Sequence, residues 1–139
     1  MNGLDTNILV RVAVSDDPGQ TEIAKDRLRS LTLSQPGFIS HIVLVEIWWV
    51  LTRAYKKTPK QALAFLTQLT ETATLVIQDC ELVRVALAAA RERRADFADA
   101  LIVAVGASHN CTAVQTFDSN AIKHAGMAPL PAETTKTPS

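Results

Sequence analysis

Four acidic residues stand at separated points of the chain, each beside residues that normally reject a charge. They are Asp5 in Leu4-Asp5-Thr6-Asn7-Ile8-Leu9, Glu46 in Val45-Glu46-Ile47-Trp48-Trp49, Asp99 in Phe97-Ala98-Asp99-Ala100-Leu101, and Asp118 after Thr116-Phe117. An ionised carboxylate buried without a partner costs more than the net stability of a small domain. A fold for this chain must therefore gather these carboxylates where something positive can meet them. A divalent metal ion is the simplest candidate.

The rest of the sequence supplies such a fold. Short strand signals at Gly3–Asp5, Phe38–Ile39, Thr74–Ile77 and Ala113–Phe117 alternate with helix signals, and Met127–Leu130 is a candidate edge strand. Helices are expected over Ile8–Val14, Gln20–Leu31, His41–Ala54, Thr58 to about Ala73, Asp79–Arg94, Phe97–Ser108 and Ser119 to Gly126. Ser40, Thr58 followed by Pro59, Asp79 and Asp96 are the expected N-caps. Ile23, Ala24, Leu28 and Leu31 share one helical face, and Leu63, Phe65, Leu66, Leu69 and Ala73 another.

This alternation argues an α/β fold, a central parallel sheet of four to five strands flanked by helices on both faces. Ligands bind beyond the carboxyl ends of such strands, where Asp5 and Asp118 fall. The 139 residues suit one domain over 1–130, and the proline- and threonine-rich 131–139 is expected to be a flexible tail.

Fourteen basic residues balance fourteen acidic ones, which is not the footprint of a general nucleic-acid binder. A local patch or a metal could still meet phosphates. No apolar stretch is long enough to span a membrane, and the first residues lack an export signal, so a cytoplasmic protein without membrane contact is expected. Cys80 and Cys111 read as ordinary thiols.

Mg²⁺ and Mn²⁺ prefer carboxylate and water oxygens, and three or four carboxylates could hold one or two such ions. Hydrolysis of a phosphodiester uses a metal to ready water and to neutralise oxygens. Asp96 and Asp99, three apart, fit one side of a first helical turn, where the helix dipole favours negative charge. Each acid also has a structural explanation. Asp5 could cap the turn after its strand, Asp118 could form a turn, and Asp96 is most simply an N-cap. Glu46 resists such an account, because Ile42, Val43, Trp49 and Val50 offer it no cation and Arg53 lies seven residues on.

Taken together, these residues resemble the PIN-domain ribonucleases, and among them the VapC-type toxins of bacterial toxin–antitoxin pairs. Leu4–Leu9 is similar to the family's opening motif, and Glu46 matches its second acidic position. Asp96-Phe97-Ala98-Asp99-Ala100-Leu101-Ile102-Val103-Ala104 resembles the third motif, and Thr116-Phe117-Asp118 the fourth. The resemblance spans about residues 1–130. It departs at Ala121, where the family often has an aromatic residue, and after Gly126.

The resemblance implies a PIN-like fold and a Mg²⁺- or Mn²⁺-dependent endoribonuclease. Asp5, Glu46, Asp99 and Asp118 would be the catalytic metal ligands, with Asp96 a further candidate, and metal-activated water would cleave RNA, with transfer or ribosomal RNA the candidate targets. Thr6, Asn7 and Thr116 would contact the substrate or brace the ligands. A cognate VapB-type antitoxin and a homodimer are the implied partners. The alternative is a non-catalytic PIN-like module that binds RNA or protein. A phosphoacceptor receiver domain fits less well, since Asp5 has no adjacent acid and Lys123 falls in an expected helix.

His41, His109 and His124 are scattered without metal-ligand spacing. Arg91, Arg93 and Arg94 close a helix, where positive charge suits the dipole, and this explanation is preferred over RNA contact. Lys56, Lys57 and Lys60 read as a solvated connection. Trp48, Trp49 and Tyr55 are read as mostly core, with some of their surface left for a second subunit or an antitoxin.

Overall fold

A computed structural model describes residues 1–132. It begins with β1 (Asn2–Gly3), α1 (Thr6–Ala13), α2 (Pro18–Arg29), β2 (Gly37–Ile39) and α3 (His41–Trp49), which widens into a π-helical turn over Val50–Ala54. It continues with α4 (Pro59–Thr70), β3 (Leu75–Ile77), α5 (Cys80–Arg93), α6 (Phe97–Ser108) and α7 (Ser119–Ala125).

The strands pair in parallel in the order β1-β2-β3, and helices flank the sheet. Gly37 and Ile39 of the central strand are buried. A Cβ at Gly37 would lie 2.7 Å from Leu4 Cδ1, so β2 sits close under the Leu4 side chain. Pairing registers Gly3 with Phe38 and Ile39 with Ile77, so all three strands deliver their carboxyl ends to one edge. There, His41 N–H donates to Gln78 Oε1 (2.9 Å) and the His41 ring bonds the Gln78 carbonyl (2.7 Å), which ties the start of α3 to the end of β3.

Three strands make the ladder. The fourth and fifth candidates, Ala113–Phe117 and Met127–Leu130, meet in one parallel bridge, Gln115 with Ala128. Thr116 N–H donates to the Ala128 carbonyl (2.9 Å) and Ala128 N–H to the Val114 carbonyl (2.8 Å).

Helix starts follow the local chemistry. Ser40 Oγ accepts from Val43 N–H, Asp17 caps α2 through Gln20 N–H, and Thr58 and Gln61 form a reciprocal capping box on α4. Asp79 departs from expectation: it precedes α5 in a left-handed conformation (φ 39°) and makes no side-chain cap bond.

The core joins Leu9, Ile39, Leu44, Ile47, Leu66 and Phe97 with the inner faces of α5 and α6. Two expected core positions lie outside it. Ile23 is 72% exposed, because α2 buries Thr21 and Ala24 instead. Ala73 is exposed beyond the end of α4, and Ala62 takes a place on that helix's buried side. Trp48 is buried, whereas Trp49 is 40% exposed with the Arg53 guanidinium 5.2 Å from its ring centre. Both cysteines are free thiols. The expected tail starts at Pro131, and all but its first two residues fall outside the described residues. Among the described residues no helix is long and apolar enough to cross a membrane.

Candidate functional site

Asp5 follows β1 as the chain leaves the sheet and turns into α1. Leu4 N–H still pairs with the Phe38 carbonyl (2.8 Å), and the Asp5 backbone carbonyl accepts from Ile8 N–H (3.2 Å). Its position is that of an N-cap, yet its side chain makes no cap bond and is exposed. The carboxylate is therefore not consumed by the turn. The next residue, Thr6, is buried and its hydroxyl donates to Glu46 Oε1 (3.3 Å), which links the start of α1 to the middle of α3. Asn7 is exposed, and its side chain has no hydrogen bond among the described residues.

The apolar neighbours of Glu46 had implied a buried charge. The structure differs: Glu46 is exposed, at the rim of a cleft between α3 and α6. Its sequence neighbours Ile47 and Trp48 turn inward while Glu46 points out. It has no ion-pair partner among the described residues, and Arg53 stacks on Trp49 rather than reaching around the helix.

Asp96 and Asp99 open α6. Asp96 is fully engaged: Oδ1 accepts from Asp99 N–H (3.0 Å) and Oδ2 from the Trp48 indole N–H (3.0 Å). Trp48 also packs against Phe97, their ring centres 6.0 Å apart. Asp99 is half-buried, and its carboxylate accepts no hydrogen bond among the described residues. Burial holds its pKa above the ordinary carboxylate value, and the charges of Asp96 and Asp118 push it the same way. Three acids thus share one electrostatic neighbourhood, and none of them is in an ion pair among the described residues.

Asp118 is exposed and caps α7, Oδ1 accepting from Asn120 N–H (2.8 Å) and Ala121 N–H (3.2 Å). The Thr116 hydroxyl accepts from Asp118 N–H (3.1 Å) and so braces the backbone rather than the carboxylate. Asp5 and Glu46 stand beyond β1 and on α3; Asp96, Asp99 and Asp118 gather where α6 and α7 begin. As the side chains stand, no three His, Cys, Asp or Glu residues among the described residues come together tightly enough to hold a metal ion. The donor chemistry nonetheless suits a hard divalent cation, since every free donor is a carboxylate oxygen.

Asp96 and Asp99 also line a cavity of about 1130 Å³, which runs between α4, the end of α5 and α7. Lys60, Arg91, Arg94, Asn120 and His124 share that lining. In sequence, Arg91 and Arg94 read as dipole compensation and Lys60 as a solvated connection; that they line one cavity with Asp99 is visible only in three dimensions. Arg91 sits in the last turn of α5, and Arg94 caps that helix in a left-handed conformation (φ 57°). The two histidines that bond do so to backbone carbonyls, His41 to Gln78 and His124 to Arg93.

The PIN domain family model matches residues 4–127. Among curated proteins none matches the chain.

Proposed function

Since the chain belongs to the PIN-domain family, a nuclease-type fold, we propose that it is a divalent-metal-dependent endoribonuclease, and specifically a VapC-type toxin. The observation that carries this reading is Asp99: half-buried, without a hydrogen-bond partner among the described residues, and raised in pKa beside Asp96 and Asp118. Polar groups taken out of water are ordinarily hydrogen-bonded, as Asp96 is; the half-buried Asp99 carboxylate is not. Unspent carboxylates at a helix start beside a large groove favour a metal-assisted site.

Mg²⁺ or Mn²⁺, held by Asp5, Glu46, Asp99 and Asp118, would supply the positive charge needed by a phosphodiester undergoing hydrolysis. The chain's own residues do the positioning. Thr6 orients Glu46 through its hydroxyl, and Asp96 holds the start of α6 and the Trp48 ring, so that Asp99 is presented on a rigid first turn. Asp118 keeps Oδ2 available while Oδ1 caps α7. Asn7, exposed beside Asp5, has a free amide to offer a substrate oxygen.

A cytoplasmic toxin of this kind would work with a VapB-type antitoxin that silences it at the acidic groove. A second copy of the chain is the proposed occupant of the α3–α6 cleft, whose lining is almost entirely apolar over about 570 Å³. Ile42 there is 72% exposed and Ile102 50%, and a second subunit would cover both. Sedimentation of wild type against Ile42→Glu with Ile102→Glu tests this, and a monomeric wild type would overturn it.

Metal-dependent cleavage of RNA by the purified protein tests the enzyme reading. Activity should appear with Mg²⁺ or Mn²⁺, vanish on chelation, and fall at least 100-fold in Asp5→Ala and Asp99→Asn, as expected for loss of a catalytic electrostatic group. Wild-type rates in both variants would sink the site assignment. The non-catalytic alternative draws on the lack of a preassembled three-ligand cluster, and RNA binding without turnover would favour it.

A further inference from the structure

Charges of both signs line the groove beside Asp99 without neutralising one another. Asp96, Asp99 and Glu71 stand on its wall, and so do Lys60, Arg91 and Arg94. Yet the ion pairs among the described residues all lie elsewhere, at Arg11–Asp16, Arg29–Asp26 and Arg84–Glu81. Three cations in a chain of zero net charge therefore face a cavity without an acidic partner.

Their placement is directional. Arg91 Nη1 donates to Thr67 Oγ1 (2.9 Å), which anchors the guanidinium on the α4–α5 junction with its remaining N–H donors free. Arg94, just past the end of α5 in a left-handed conformation (φ 57°), lines the same cavity. Arg93 goes the other way: its Nη1 lies 3.7 Å from where a Cβ on Gly126 would stand, away from the groove. Pro59, Leu63, Ala64 and Ala90 add apolar surface to the lining, beside the polar Thr67, Gln68 and Asn120.

A ligand matching this groove presents anionic groups to the three cations and apolar faces to the surface beside them. It also extends to the acids, because the cavity exceeds the roughly 300–1,000 Å³ of small-molecule sites. Single-stranded nucleic acid has this chemistry. We propose that Lys60, Arg91 and Arg94 form a phosphate-binding wall that seats the backbone of single-stranded RNA in the α4–α5–α7 groove and leads it to Asp99. The assignment rests on the nuclease reading for its substrate class, and it adds the path of the strand. Because the contacts are to phosphate, they position the strand without reading its sequence.

The test is fluorescence anisotropy with a labelled 12-nucleotide single-stranded RNA of mixed sequence, titrated with salt in EDTA so that no turnover occurs. The Lys60→Ala/Arg91→Ala/Arg94→Ala variant should flatten the log affinity–log salt slope by about 2, at about 0.7 per lost phosphate contact. Lys25→Ala/Arg27→Ala/Arg29→Ala, which removes equal charge from α2, should leave the slope near wild type. If the groove variant unfolds, Lys60→Gln and Arg94→Gln carry the same comparison singly, each flattening the slope by about 0.7, and Arg94→Lys should restore it. Equal slopes in groove and α2 variants overturn the wall, even if metal-dependent cleavage is intact. A flattened slope with no cleavage supports the wall and removes the nuclease reading. Preference for duplex RNA, or binding of an acidic peptide and not RNA, also overturns the proposal.

Discussion

Asp96 and Asp99, three residues apart on one helical turn, have opposite relations to the fold. Asp96 is spent on structure, and Asp96→Ala should cost about 1 kcal/mol for the lost cap and about 1–3 kcal/mol for the stranded Trp48 indole, read by thermal unfolding. Asp96→Asn, which keeps an acceptor oxygen, should fall between. Asp99 acts with the other sign. Burial, then Asp96 and Asp118, raise its folded pKa, so its contribution to stability is present below the unfolded value and is lost as pH rises through the folded one. In metal-free buffer Asp99→Asn should thus melt higher than wild type at pH 7, the gain fading toward pH 4. A variant that melts lower at pH 7 would contradict that account. Asp16 runs the opposite course. The Tyr55 hydroxyl, then Arg11, hold it below its ordinary value, so its contribution exists at neutral pH and disappears on acidification. The identities of Asp5, Glu46, Asp99 and Asp118 as candidates were readable from sequence, but their environments were not. Apolar neighbours along a helix point to different sides of it, so Glu46 could stand in water among residues that do not. Its Thr6 contact lies 40 residues away, beyond the reach of local pattern.

At the scale of elements, what depends on three or four adjacent residues was legible, and what depends on distant pairing was less so. The Thr58–Gln61 box, the Ser40 cap and the Asp96 cap are each written within one turn of helix. The π-helical turn at Val50–Ala54, read as plain helix, leaves no such local trace. Ala113–Phe117 reads as a strand, yet a ladder needs a partner, and among the described residues this segment finds one bridge, to Ala128. Its approach to α6 is close. A Cβ on Gly106 would lie 2.9 Å from Val114 Cγ2, a branched side chain with little freedom to yield. Gly106→Ala should therefore destabilise by up to about 2 kcal/mol in denaturant unfolding, although alanine is the better helix former by about 1 kcal/mol. Unchanged or higher stability would mean that the Val114 segment shifts freely.

Over the whole molecule the fourteen positive and fourteen negative charges cancel, but the site charges remain apart. Like charges around Asp99 work against the metal-free fold, and an ion bound there relieves them. Mg²⁺ or Mn²⁺ at 100 times its dissociation constant should add about 2.7 kcal/mol, several degrees in melting temperature. Asp99→Asn should abolish the shift, and a wild type indifferent to saturating ion would count against the site. The parallel architecture and the edge where Asp5 emerges were legible because strand and helix signals alternate. The groove was not, because α4, α5 and α7 meet there only in three dimensions. The thin attachment of residues 113–118 bears on timing. The acids come from pieces of unequal local stability: Asp5 and Asp99 adjoin the sheet and core, whereas Asp118 follows a stretch joined to residue 128 by two hydrogen bonds. Such a stretch can unlatch while β1, β2 and β3 stay paired, on a clock set by local opening and not by global unfolding. Opening there would withdraw Asp118 from the other acids while Asp5 and Asp99 keep their places.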